Sequence, residues 1–303
     1  MTRLDSRLIA PPEKEEIYPY RRAWRSVVVE SSVMFAITAL IFVLLNYLGL
    51  AIPQRVYRPL NLGLTLLPIL LWVIFSWSQE RRVQEPRQRL MSVLLLSALV
   101  ANAIGYPLVN EFFRVDRWLP LENAVNRIVG YAFTIGITQE LLKYLVLRAL
   151  VWPDHFNTWL DGIAYSAAAA IGYATVLNLH FVLSTDASPD VAAVRIFGTY
   201  AVHLATSLLM GYALSDLRFS GSSLLFLPLS LALSAFIAGI AIPVRSGLVN
   251  ASLSPDALEL SLSRPILGIG FSAAILVALM LVLSFLFRIA ERRQREAQES
   301  REA

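Results

Sequence analysis

Long apolar runs alternate with short polar segments along this chain. Eight runs stand out, at residues 33–52, 60–77, 90–109, 128–152, 159–183, 196–214, 224–244 and 266–287. As helices they suit a hydrocarbon layer about 30 Å thick, which takes roughly 20 residues to cross. Helices are the expected form, because a helix satisfies its own backbone hydrogen bonds in lipid. A barrel would need short strands of alternating polarity, and these runs do not alternate. The pattern therefore predicts an all-α, polytopic membrane protein of about eight transmembrane helices.

The polar segments divide the chain. Residues 1–26 read as a polar cytoplasmic arm, 27–287 as a single transmembrane helical domain, and 288–303 as a charged cytoplasmic tail. The first apolar run follows a charged stretch and is too long for the core of a signal peptide, so it reads as the first span. Residues 111–127, with Phe112, Phe113 and Trp118, are expected along the membrane interface. Residues 256–260 suggest a short amphipathic turn in the loop after span seven.

Composition supports this reading. Of the 303 residues only 16% are charged and 56% are hydrophobic. A soluble domain carries about 25% charged residues. Apart from Lys143, 17 of the basic residues lie in segments on the N-terminal side of the membrane and eight on the other. The excess of Lys and Arg on cytoplasmic loops puts both termini inside. The net charge of +4 is then explained by inner membrane edges, and no nucleic acid is expected as a partner. The absence of cysteine excludes disulfides, thiolate nucleophiles and cysteine metal sites.

Polar chemistry gathers in spans four to six. The first three spans hold little besides Asn46, Asn61, Asn102 and Pro68 and read as scaffold. Only two lysines occur, Lys14 in the arm and Lys143 within span four. An ionised group at the centre of a membrane helix costs roughly 2.5–3.5 kcal/mol on insertion scales, so it is kept where something compensates it. Glu140 and Lys143 are three apart and can meet on one helix face. Tyr173 in span five and His203 in span six fall at a similar depth. Span five also carries Gly162, Ser166, Ala170 and Ala174 at spacing four, a ridge of small residues for close helix packing. Each polar residue has a structural reading too: Glu140–Lys143 as a neutralised pair, His203 as a core histidine, Asn178 as interhelical glue. Asp161 reads as the N-terminal cap of span five. Taken together, Glu140, Lys143 and His203 mark a site.

These residues resemble the PrsW family of intramembrane proteases, itself distantly related to the CAAX prenyl-protease and bacteriocin-processing membrane proteases. The family's Glu-Glu-x-x-Lys motif corresponds to Gln139-Glu140-Leu141-Leu142-Lys143. Its Asp-Gly-Ile-x-Tyr-Gly motif, followed by Gly-Phe-Ala-x-x-Glu-Asn, corresponds to Asp161 through Ser166 and to Gly172-Tyr173-Ala174-Thr175-Val176-Leu177-Asn178. A later histidine with a downstream glycine corresponds to His203 and Gly211. The resemblance covers about residues 130–215. It implies a peptidase fold whose first-motif glutamate activates a water molecule.

The departures fall on that chemistry. Gln139 and Leu177 stand at the two glutamate positions, and neither side chain can take a proton from water. Glu140 is one position further along the helix, a turn of about 100° away from Gln139. His180 lies one turn beyond Leu177, so an arrangement of Glu140, His180 and His203 stays open, as does a metal held by them. No cofactor is required by the sequence.

Three functions follow, in descending order. The first is a degenerate protease frame that binds or regulates membrane proteins. The second is an active intramembrane protease using Glu140 and His203 on a transmembrane or membrane-anchored substrate. The third is a transporter, since charged intramembrane pairs also mark translocation paths. The expected location is a prokaryotic plasma membrane.

Overall fold

The computed structural model describes residues 12–82, 86–119, 124–219, 225–249 and 263–302. Among these there is no strand. The helices are α1 (Pro12–Asn46), α2 (Gln54–Glu80), α3 (Leu90–Phe112), α4 (Ala124–Tyr131), α5 (Ile137–Leu150), α6 (Asp161–Ser184), α7 (Pro189–Phe219), α8 (Phe226–Val249) and α9 (Ser263–Glu302). The protein is a polytopic all-α membrane protein. Among the described residues five helices are long and apolar enough to cross a bilayer: Arg25–Asn46, Gln54–Glu80, Leu90–Phe112, Asp161–Ser184 and Pro189–Phe219. Two shorter apolar helices cover Phe226–Ile242 and Ala273–Leu286. The fourth run is divided between α4 and α5 by a π-helical turn at Ala132–Gly136. The turn suggested at 256–260 lies outside the described residues.

The sheath and the centre follow from side-chain size. Helices α6 and α7 pack on each other along most of their length, with α3 against α6, α1 and α9 against α7, α2 across both and α8 beside α7. Ala167, Ala168, Ala169 and Ala170 are almost wholly buried, so α6 presents little more than backbone to its neighbours. Where α6 crosses α7, Gly162 faces Gly211. A methyl on either glycine would run into the carbonyl oxygen of the other. Small residues matter here because lipid gives no hydrophobic push between helices, leaving close van der Waals contact to hold them. The ridge predicted from Gly162, Ser166 and Ala170 is this interface. By contrast, Leu95, Leu99, Ile137, Leu141 and Leu145 point outward, as lipid-facing positions do.

Two expectations need correction. Asp161 does not cap α6: the cap position is Leu160, which makes no side-chain capping bond. The Asp161 carboxylate instead accepts the backbone N–H groups of Asn157 and Thr158 at 2.8 and 2.7 Å and an Arg87 Nε–H at 2.6 Å. Arg87 also pairs with Glu80 at 2.9 Å. The group ties the start of α6 to the loop before α3. The first span also carries a carboxylate that the apolar run did not include. Glu30 is 1% exposed in α1 and accepts a hydrogen bond from Ser76 at 2.6 Å. Ser76 lies in a π-helical turn of α2 at Val73–Trp77, and Ser26 bonds the Phe75 carbonyl of the same turn.

Candidate functional site

Helix α5 presents two faces. Ile137, Leu141, Leu145 and Arg148 are exposed, whereas Thr138, Gln139, Glu140, Lys143, Val146 and Leu147 are buried. The buried arc is wide enough to hold Gln139 and Glu140 together. Glu140 is therefore not turned to lipid, and the 100° offset does not remove it from the interior.

Lys143 Nζ lies at the centre of a closed polar cluster. It donates to Glu140 Oε1 at 2.8 Å and to Ser207 Oγ at 2.7 Å. Thr206 Oγ1 and His203 Nδ1 are each 3.4 Å away. An ammonium can only donate, so His203 meets it through an acceptor Nδ1 and carries its ring proton on Nε2. Thr206 donates to the same Glu140 Oε1 at 2.8 Å, which saturates that oxygen. Ser234 on α8 bonds the Thr206 carbonyl at 3.0 Å and holds this part of α7 in place. Lys143 and Ser207 are fully enclosed and Glu140 and Thr206 nearly so. A buried ion pair persists when added hydrogen bonds offset its desolvation, and Ser207 and Thr206 supply them.

Tyr173 comes from α6 to complete the layer. Its ring centroid is 5.5 Å from that of His203, and Lys143 Nζ is 6.0 Å from the ring. The expectation that spans four, five and six deliver polar groups to one place is thus met for Glu140, Lys143, Tyr173 and His203. Two buried atoms of this group have no hydrogen-bond partner, Glu140 Oε2 and the Tyr173 hydroxyl. The hydroxyl is pressed against Gly105, in a π-helical turn of α3 at Ala101–Gly105. Tyr173→Phe is therefore expected to leave stability in detergent unchanged or up to about 1 kcal/mol higher, because it removes an unsatisfied group. A loss above about 1 kcal/mol would contradict this.

Other sequence candidates fall elsewhere. Asn178 donates to the Ile196 carbonyl at 3.3 Å, an α6–α7 link. Leu177 is half-buried on α6. His180 pairs with Asn102 Oδ1 at 2.8 Å and stacks on Tyr106 with centroids 3.7 Å apart. Its described contacts are with α3, and none joins it to Glu140 or His203. The proposed trio of Glu140, His180 and His203 is not formed. Sequence reasoning did not find Thr206 or Ser234. His203 marked the right face of α7, but a threonine one turn from a histidine carries no signal of its own.

A sequence profile described as PrsW family intramembrane metalloprotease matches residues 85–287. Protease PrsW of Clostridioides difficile (strain 630) is 28% identical over 163 residues, which is 52% of this chain and 66% of that protein. Protease PrsW of Bacillus subtilis (strain 168) is 31% identical over 140 residues, 45% of this chain and 63% of the relative. Protease PrsW of Geobacillus kaustophilus (strain HTA426) is 27% identical over 118 residues, 38% and 52% of the two chains. The matches thus span about two thirds or less of these relatives. No solved structure matches.

The family's description implies a metal, and the donor set here does not fit one. Among the described residues no three His, Cys, Asp or Glu side chains converge. In the cluster, Glu140 and His203 already share the Lys143 ammonium between them. A metal ion would have to displace a cation that is held by both.

Proposed function

The chain belongs to the PrsW family of intramembrane metalloproteases, and on that premise we propose that it uses the family's frame to bind or regulate membrane proteins without hydrolysing them. The observation that carries this reading is the Lys143 ammonium lodged between Glu140 and His203. Hydrolysis needs a group that can take a proton from water and a place for that water beside it. Glu140 Oε1 is engaged by Lys143 and Thr206, and the two positions that carry glutamate in the family pattern hold Gln139 and Leu177. An amide and an alkyl group cannot serve as general base. The partner class is a transmembrane or membrane-anchored protein. The location is the plasma membrane of a prokaryotic cell, as the bacterial source of the relatives suggests.

A second reading, an active protease working through Glu140 and His203, draws on one observation. Glu140 Oε2 is buried and without a partner, so one carboxylate oxygen is not committed to the cluster. Restoring both family glutamates separates the two. The double variant Gln139→Glu/Leu177→Glu, reconstituted in liposomes with a membrane-tethered reporter peptide, is expected to cleave it while the native protein does not. Equal cleavage by the native protein and the double variant would overturn the non-hydrolytic reading.

A further inference from the structure

Arg87 and Arg195 are both drawn into the fold, and they are answered differently. Arg87 lies between two carboxylates, Glu80 at 2.9 Å and Asp161 at 2.6 Å. Arg195, half-buried on α7, has no carboxylate and no hydrogen-bond acceptor among the described residues. Its guanidinium carbon instead lies 3.9 Å from the ring centroid of Phe181 on α6. A ring face attracts the cation but leaves its five N–H groups without acceptors. Asp190, the nearest acid along α7, faces α1, where its Oδ2 accepts from Asn46 at 3.1 Å. Asp186 is exposed in the loop between α6 and α7.

The arginine stands at a membrane boundary. It directly precedes the apolar run 196–214 and lies six positions, about 9 Å, from the start of α7. Helical side chains lean toward the N-terminus of their helix, so the guanidinium is carried out of the hydrocarbon toward the α6–α7 loop. An apolar floor leads up to it. His203 meets Tyr173 between α7 and α6, and Arg195 meets Phe181 eight positions along each helix. The two contacts therefore lie on one antiparallel seam, about 12 Å apart. Leu177 falls between them on α6 and, like Phe181, is half-buried, whereas Tyr173 and His203 are closed over. The seam opens from the centre to the edge and ends in a cation.

We propose that Arg195 holds the phosphate of an anionic phospholipid whose acyl chain lies along Phe181 and Leu177. A planar guanidinium forms paired hydrogen bonds with phosphate oxygens. A phospholipid brings an oxyanion and an alkyl chain joined in the order that the seam presents a cation and apolar side chains. It is also present at this depth wherever the protein is embedded. A zwitterionic headgroup carries its own cation beside the phosphate, and that cation repels the guanidinium, so an anionic lipid is preferred. This lipid site lies apart from the Lys143 cluster and does not depend on whether that cluster hydrolyses peptides.

The test places the full chain in phosphatidylcholine nanodiscs doped with phosphatidylglycerol and identifies the lipids that stay on the protein by native mass spectrometry. The native protein is expected to keep phosphatidylglycerol about tenfold above its share of the bilayer, the size of one charge-assisted contact. Arg195→Gln should bring the enrichment near one. Arg58→Gln removes the same charge from an exposed site on α2, at the end of the bundle where Asn61 bonds the Ala187 carbonyl, and should leave the enrichment intact. Phe181→Leu keeps the charge and removes its seat. It should lower the enrichment several-fold, and it carries the test if Arg195→Gln fails to fold. Enrichment that survives Arg195→Gln or Phe181→Leu, or that falls equally in Arg58→Gln, overturns the proposal. So does inorganic phosphate that protects the protein in detergent as well as the lipid does, which would make a free anion the ligand. Displacement of the lipid from Arg195 by a Leu/Ala transmembrane peptide with a terminal Asp would make a partner protein the occupant and overturn it too.

Discussion

Lys143→Met is expected to destabilise the protein by about 3–5 kcal/mol. The lysine is fully enclosed and its ammonium offsets the charge of Glu140 at 2.8 Å. Methionine fills the same volume but leaves a buried carboxylate with only Thr206 to answer it, and an uncompensated buried charge costs several kcal/mol. Removing both partners should behave differently. In Lys143→Met/Glu140→Leu no charge is stranded, and Thr206 keeps acceptors in the carbonyls of Val202 and His203 at 3.1 and 3.2 Å. The double variant is expected to recover most of the loss, since replacing a buried ion pair by apolar residues is often close to neutral. Unfolding in mixed detergent micelles measures both. A single variant within about 1 kcal/mol of the native protein, or a double variant as unstable as the single, would contradict a paired and dry cluster.

Gly211→Val is expected to cost about 1–3 kcal/mol or more, the range for forcing extra volume into a packed interior. The new side chain meets the Gly162 carbonyl and the Ser166 side chain, and backbone on a facing helix cannot rotate out of the way. The same step carries to the site. Gly211 lies one turn beyond Ser207 and two beyond His203, so pushing α7 from α6 also draws these residues from Lys143. Gly162→Val should act alike from the other side. Gly63, on α2, has nothing within 4 Å of an added methyl, so Gly63→Ala should stay within about 0.5 kcal/mol of native. Comparable losses at all three glycines would contradict the α6–α7 contact as the source of the cost, since alanine in place of a helical glycine raises helix propensity.

Much of this architecture was legible because lipid imposes one rule on the whole chain. Runs without charge became helices, but helices also ran on into charged flanks that hydropathy leaves out, as α1 does back to Pro12 and α9 does on to Glu302. Glu30 escaped because a carboxylate at the edge of an apolar run looks like an aqueous one. The groups that cover it, Ser76 and α7, come from elsewhere in the chain. Asp161 was misread for a similar reason. Its partner Arg87 is 74 positions away, and a cap was the best explanation available locally. The π-helical turns at 73–77, 101–105 and 132–136 have no sequence signature, yet they place Ser76, Asn102 and the bend before α5.

The site was legible in its members and not in its arrangement. Glu140, Lys143 and His203 announced themselves as ionisable residues where such residues are rare. That Glu140 shares the interior with Gln139 depends on neighbours enclosing α5 over a wide arc, which periodicity alone does not report. His180 lay on the expected helix but was captured by Asn102 and Tyr106 on α3.

The central claim is that the Lys143 cluster is a structural lock in a family of proteases. Its most direct measurement is mass spectrometry of a membrane-tethered peptide incubated with the purified native protein in liposomes. The peptide is expected to be recovered intact, with the same result for Glu140→Ala and His203→Ala. A discrete pair of fragments, formed by the native protein and lost in both variants, would contradict it.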